Sequence, residues 1–194
     1  MRAWPRRVKA GPPVPTAFLD RDGVLNWNRA GAYVTRPEQI RLYAAAAPAL
    51  RLMAAKGYRL VVLTNQSGVA RGYMTLARAL AINLRLLRDL RRKGAAVDAV
   101  YFCPHGPDEN CACRKPAPGL IREANKDVPA DMKRSFMAGD KKSDLGLARR
   151  AGIKGHLVLT GQWRSAGAAA AKKGYKDLLA LAKALPDYSE RKIK

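Results

Sequence analysis

Two groups of residues in this chain have the types and spacing for chemistry. The first is Cys103, His105, Cys111 and Cys113, which takes in every cysteine and one of the two histidines. Four thiolate and imidazole donors suit a closed, tetrahedral zinc site with no position left for a reactive water. Disulfide pairing or a redox role is the alternative, but it leaves His105 and the tight spacing unexplained. The second group is dispersed: Asp20 and Asp22, then Thr64, Lys115 and Asp140. Two carboxylates one residue apart can share a divalent cation through hard oxygen ligands. A carboxylate is ionised at neutral pH and can attack phosphorus without a separate base. Magnesium would reduce its repulsion from the phosphate. Asp22 then reads as an acid toward a leaving alcohol and a base toward water. An ordinary Asp turn after a strand would use the same residues.

The other members of that group offer complementary chemistry. Thr64, with Asn65, Gln66 and Ser67 behind it, supplies donors for phosphate oxygens. Lys115 supplies a point charge for a transferring phosphoryl group. Asp140 is placed to complete a magnesium site, and Asp144 is either its partner or the cap of the next helix. Together these residues point to a metal-dependent phosphatase.

Such dispersed residues need a scaffold that gathers them. Apolar runs of strand length recur at Thr16–Leu19, Arg59–Leu63, Ala99–Phe102, Ser135–Ala138 and His156–Leu159. Helical patterns lie between them, at Ala44–Lys56, Thr75–Lys93, Gly119–Lys126 and Ser143–Ala151, with a last one at Lys176–Leu185. Strands alternating with helices imply right-handed crossovers and an α/β fold with a doubly wound, mostly parallel sheet. Ligands bind such sheets beyond the carboxyl ends of the strands. Each chemically apt residue of the second group follows one of the expected strands. His156 begins the last strand and reads as an ordinary packed or surface histidine.

A length of 194 residues suits a single full-sized domain, expected over 16–186. Met1–Pro15 carries four prolines among basic residues and is expected to be a mobile lead-in; 187–194 is expected to be a frayed tail. No apolar run approaches the ~20 residues of a membrane span, and no signal peptide core is present. Three cysteines without an export signal suit a reducing cytoplasm. The net charge is +22, from 37 Lys and Arg against 15 Asp and Glu. That balance would suit a nucleic-acid binder. The basic residues are spread along the chain, however, and no array of aromatics reads as a base-stacking platform. A general attraction for polyanions, phosphorylated substrates included, is the main expectation, with the protein a monomer; a phosphatase of nucleic-acid 3′ ends is the alternative that the charge motivates.

The order of acid pair, hydroxyl, lysine and acid, each after a strand, resembles the signature of the haloacid dehalogenase (HAD) superfamily of phosphotransferases. The resemblance runs from about Thr16 to Leu159. It implies that Asp20 becomes an aspartyl-phosphate, that Asp22 is the acid/base, and that Thr64 and Lys115 stabilise the phosphoryl group. It further implies that magnesium binds Asp20, Asp140 and the backbone carbonyl of Asp22. Val24, where many members have threonine, is a mild departure. Only 41 residues lie between Asp22 and Thr64 and 50 between Thr64 and Lys115, each stretch already holding a helix. No cap domain fits, so the site is expected to be open.

Cys103-Pro104-His105 followed by Cys111-x-Cys113-Arg114-Lys115-Pro116 is similar to the uncapped family of heptose bisphosphate and histidinol-phosphate phosphatases. Thr64–Gly72, Gly139–Lys141 and Leu157–Gly161 favour its heptose branch. That branch implies removal of the 7-phosphate of D-glycero-D-manno-heptose 1,7-bisphosphate, for surface-polysaccharide precursor synthesis. By position, Arg114 would recognise the distal part of the substrate and Lys141 its phosphate. Asn65, Gln66 and Ser67 would line the pocket, and a flap around Asn28 and Arg29 would close over the sugar. The zinc loop would brace Arg114 beside the substrate.

Overall fold

The computed structural model describes residues 2–5, 11–28 and 31–189. Six strands form one sheet: β1 (Arg2–Pro5), β2 (Thr16–Leu19), β3 (Arg59–Asn65), β4 (Ala99–Cys103), β5 (Phe136–Gly139) and β6 (Lys154–Leu157). Their order across the sheet is β1-β4-β3-β2-β5-β6. Strands β2 to β6 are mutually parallel and β1 runs antiparallel along β4. The lead-in expected to be mobile thus contributes an edge strand at Arg2–Pro5. The later expectation of a frayed tail from Asp187 also needs correction over its first residues. The Tyr188 ring packs edge-on against Tyr58 at 5.4 Å, and its N–H donates to the Lys56 carbonyl at 2.9 Å.

Between the strands run α1 (Ala46–Ala55), α2 (Leu76–Arg92), α3 (Gly119–Asp127) and α4 (Lys142–Arg150). Beyond β6 come a single turn, α5 (Ala168–Ala171), and α6 (Leu178–Ala184). The sequence explains their ends. Thr75 caps α2 by accepting the Arg78 N–H at 3.1 Å, and Arg91 and Arg92 complement the dipole at its last turn. Gly57 ends α1 at φ +83°, a conformation that costs other residues about 1 kcal/mol or more.

Alternation along the strands divides the core into two layers. Leu60 and Val62 of β3 face α1, α2 and α6 with Leu50, Met53, Leu86 and Leu181. Val61 and Leu63 face the opposite side with Tyr101, Leu120, Ile121 and Leu147 from β4, α3 and α4. Because both faces are covered, β2 and β4 are buried along their whole length rather than alternating. No helix of the described residues is long and apolar enough to cross a membrane.

The chain moves from β2 to β3 and β4 on one side, then returns to β5 and β6 on the other. Strand β2 is therefore the point where the winding reverses. Crevices for ligands open at that point, beyond the carboxyl ends of the strands.

Candidate active site

Asp20 leaves the end of β2 with its N–H bound to the Ala138 carbonyl of β5 at 2.9 Å. Its Oδ1 accepts the Arg21 N–H at 2.8 Å and lies 2.8 Å from Lys115 Nζ. Lys115 is buried, and its ammonium also meets Asp144 Oδ1 at 2.7 Å and the Leu63 carbonyl at 2.8 Å. Three acceptors for three protons leave this side chain one orientation. Burial would lower its proton affinity, but Asp144 and Asp20 more than reverse that and keep it cationic. Asn65 holds the lysine's peptide from both sides, accepting from its N–H at 3.0 Å and donating to its carbonyl at 3.1 Å. Although Asn65 lines the cleft, its amide is occupied by this clamp.

Asp140 follows β5 and is fully buried. Its Oδ2 accepts the Gln162 N–H at 2.6 Å, while Oδ1 has no hydrogen-bond partner. A Cβ on Gly23 or on Gly161 would overlap this carboxylate, so both positions must lack a side chain. Burial, and then the charge of Asp20, push the Asp140 carboxyl up to about 7. Carboxylate oxygens of Asp20, Asp140 and Asp144 lie within 4.8 Å of one another. Asp144 is already committed, with Lys115 on one oxygen and the Lys141 N–H on the other at 3.0 Å, so it is both helix cap and partner. Asp20 and Asp140 remain, with Oδ1 of Asp140 buried and unpartnered. That arrangement fits a divalent cation with hard oxygen ligands, which would relieve the repulsion and satisfy Oδ1.

Asp22 occupies different surroundings, and its side chain is not part of the carboxylate cluster. Arg21 grips it through Nε at 3.1 Å and a terminal nitrogen at 2.6 Å; Gln66 and Asn26 donate at 3.0 and 3.1 Å. Burial would raise its pKa, but the Arg21 guanidinium and these donors overcome that and hold it below the usual carboxylate range. Arg21 itself is completely buried, and it also donates to Asn83 of α2 at 2.7 Å and to Gln66 at 3.0 Å. Gln66 in turn donates to Thr64 Oγ1 at 2.9 Å, linking the hydroxyl to the acid/base candidate.

These groups surround a cleft of about 330 Å³ that also exposes Ser67, Arg114, Lys141 and Asn28. Burial lowers and the carboxylates of Asp20 and Asp140 more strongly raise the proton affinity of Lys141. Arg114 donates to the His105 carbonyl at 3.1 Å, which ties it to the cysteine loop. In that loop Cys103 Sγ lies 3.5 Å from both His105 Nδ1 and Cys111 Sγ, and Cys113 Sγ lies 3.3 Å from His105 Nδ1. All three cysteines are free, at sulfur separations far beyond the ~2.05 Å of a disulfide. The four donors converge as the ligands of one ion would.

The fold thus brings together Asp20, Asp22, Thr64, Gln66, Ser67, Arg114, Lys115 and Lys141 around one cleft, with the buried Asp140 carboxylate within 4.8 Å of that of Asp20. Asn28 also lines it, whereas Arg29 lies outside the described residues. His156 packs edge-on between Phe136 and Tyr175, as expected of an ordinary histidine. Sequence reasoning missed Arg21, Asn26, Gly161 and Gln162. Arg21 read only as the spacer of the acid pair, and the tail of the Leu157–Gly161 match was the one signal for the Gly161–Gln162 turn. Tyr33 and Tyr73 pack edge-on at 5.3 Å, and Tyr33 and Trp27 line one groove beside the cleft.

Known proteins are similar to this chain in sequence and fold. A sequence model of the HAD-hydrolase-like family matches residues 112–181. The D-glycero-beta-D-manno-heptose-1,7-bisphosphate 7-phosphatase of Helicobacter pylori is 42% identical over 144 residues, covering 74% of this chain and 82% of the relative. Its namesake from Rhodopseudomonas palustris is 42% identical over 153 residues, covering 75% and 84%. The crystal structure of D,D-heptose 1,7-bisphosphate phosphatase from B. bronchiseptica, complexed with magnesium and phosphate, superimposes with a TM-score of 0.78. It is 37% identical, over 89% of this chain and 97% of that one. With an open α/β scaffold, a strand-end carboxylate site and relatives this similar, the chain is a phosphatase of the HAD-like hydrolases and belongs to the family of the heptose 1,7-bisphosphate 7-phosphatases.

Proposed function

We propose that this phosphatase removes the 7-phosphate of D-glycero-D-manno-heptose 1,7-bisphosphate, with Asp20 as nucleophile. The observation that carries the reading is the Lys115–Asp20–Asp140 constellation: an oriented carboxylate on an open cleft, a fixed cation beside it, and a buried, unpartnered oxygen of Asp140 next to both. Asp20, Asp140 and the backbone carbonyl of Asp22 would hold magnesium, which supplies charge neutralisation for the approach of two anions.

Lys115 holds Asp20 Oδ1, so the opposite oxygen of the carboxylate is the one free to attack phosphorus. Lys115, Lys141 and the Thr64 hydroxyl are positioned to stabilise the phosphoryl oxygens as charge moves onto them. Attack forms an aspartyl-phosphate and releases the sugar hydroxyl. Asp22, held as a carboxylate by Arg21, is poised to take a proton from water in the second half-reaction. To donate to the leaving oxygen in the first half, it needs the incoming phosphate's negative charge to raise its proton affinity. Arg114 meets the end of the sugar remote from the scissile bond. Its carbonyl partner belongs to the cysteine loop, which we assign as a structural zinc site: four ligands leave no open position for a catalytic water.

Phosphate release with magnesium, from heptose 1,7-bisphosphate and from histidinol phosphate, tests the assignment. A kcat/KM ratio of ~100-fold or more for the bisphosphate, about 2.7 kcal/mol of differential transition-state binding, is expected. The reverse ratio would move the enzyme to histidinol phosphate with its chemistry unchanged. Asp20→Asn should lower turnover by at least ~10³-fold on either substrate; undiminished turnover would refute the nucleophile.

A further inference from the structure

Beside the catalytic cleft runs a second groove of about 580 Å³, walled by Trp27, Tyr33, Arg36 and Arg41. The two share Asn28, Ala32, Tyr33 and Val34 in their linings, so they are one continuous surface. Past Arg36 the surface continues to Tyr73 and Arg78. The aromatic rings are unusually open, with Trp27 51% exposed, Tyr33 36% and Tyr73 56%. Large apolar side chains this exposed and this close together mark binding surfaces. Among the described residues, Arg36, Arg41 and Arg78 form no ion pair.

The groove is anchored to the chemistry. Buried Asn26 accepts the Arg41 N–H at 2.7 Å and donates to the Trp27 carbonyl at 2.8 Å and to Asp22 at 3.1 Å. The Trp27 N–H donates to the Arg41 carbonyl at 2.7 Å. One amide therefore fixes both walls relative to the acid/base candidate.

We propose that this groove binds a short stretch of single-stranded nucleic acid whose terminal phosphate enters the catalytic cleft. Interleaved rings and guanidinium groups match a polymer that alternates flat bases with phosphates, and the net charge of +22 favours its approach. An anionic membrane would match the charge but not a groove that leads into a catalytic cleft. The inference rests on the phosphatase chemistry assigned above, though not on the sugar. In it, an Asp20 oxygen bonds phosphorus as the bond to the terminal nucleoside oxygen breaks, and that oxygen takes its proton from Asp22. Water then attacks phosphorus, yields a proton to Asp22 and frees Asp20 and inorganic phosphate.

Binding is read with Asp20→Asn protein, so that it does not depend on turnover. The probes are fluorescein-labelled oligothymidylates of twelve nucleotides with a 3′-phosphate, a 5′-phosphate or neither, titrated by anisotropy from 50 to 300 mM salt. Saturable binding that weakens with salt, prefers one phosphorylated end and falls on the order of tenfold with Trp27→Ala is expected. Arg41→Ala is the second variant and should also weaken binding, whereas Arg88→Ala on α2 should leave it within about twofold. Wild-type protein should release phosphate from the preferred end. Four results would overturn the proposal: no saturable binding; indifference to Trp27 and Arg41; equal affinity for heparin, which has no bases; or Trp27-dependent capture by phosphatidylglycerol vesicles in place of the oligonucleotide. Tight binding without phosphate release would instead sink the catalytic assignment and leave the groove standing.

Discussion

The two clusters that can hold a metal are built in opposite ways. The cysteine loop gathers its donors between positions 103 and 113, in one partly exposed turn at the end of β4. The carboxylate site draws on positions 20 to 144 and lies fully buried at the ends of β2 and β5. The local cluster needs only its own ligands to close, which suits a brace. The dispersed cluster is held by groups from the whole sheet, among them Leu63, Ala138 and Gln162. Orientation to a fraction of an ångström, which catalysis demands, comes from that rigid frame. Lys115 stands two residues past Cys113 and so belongs to both.

The sharpest way to test that contrast is to remove the shared residue. Lys115→Ala leaves the Asp20 and Asp144 carboxylates buried without their cation. Denaturant unfolding at pH 7.5 should show a loss of about 3 kcal/mol or more. Part of it should return at pH 5.5, where Asp144, whose carboxyl is already pushed up by burial, can take up a proton. An unchanged midpoint would mean the triad is not formed in solution.

A smaller effect is expected from the brace. Cys111→Ala should lose bound zinc by elemental analysis, lower the melting temperature by several degrees and cut kcat/KM about tenfold. Magnesium affinity should stay within about twofold, because no magnesium-facing residue lies in the loop. Equal damage to magnesium binding would erase the distinction between brace and active site. Wild-type protein that is fully active yet free of zinc would refute the structural assignment.

The mildest test is of pH. The Asp140 carboxyl, raised to about 7, must lose its proton to bind a cation. Apparent magnesium affinity should therefore fall as pH drops below about 7, by up to about tenfold per unit, and level off above it. For metal-free protein the sign follows from the folded state binding more protons than the unfolded one between about 4 and 7. Stability should fall as pH rises through that window, and added magnesium should flatten the slope. A profile flat from pH 5 to 8 without magnesium would contradict the environment described for Asp140.

The same contrast explains what the sequence disclosed. The cysteine loop was legible from spacing alone, because its ligands are neighbours in the chain. Most strands were legible as apolar runs, and Asp20, Thr64 and Asp140 as strand-end polar residues, whereas Lys115 stands in the loop between β4 and α3. Arg21 was not, since an arginine beside an acid pair reads as a solvated charge. Only Asp22, Gln66 and Asn83, reaching in from three elements, make its burial tolerable. Gln162 escaped because it acts through its backbone N–H, which side-chain chemistry does not reveal. The ring surface of Trp27, Tyr33 and Tyr73 was hidden by separation, and Tyr73 reaches it only through the turn before α2. Strand β1 was obscured by the prolines and charges that surround it in the first fifteen residues. It has no pattern of its own and is a strand only because β4 pairs with it.

That pairing matters for how copies of the molecule behave in a crowded solution. With β1 in place, the bare hydrogen-bonding groups of β4 are masked on the side away from β3. A protein trimmed of Arg2–Pro5 would present that margin as a template for a strand of another copy. Growing particle size by light scattering, with turnover intact in the fraction still dispersed, would show that these few residues guard colloidal behaviour rather than chemistry.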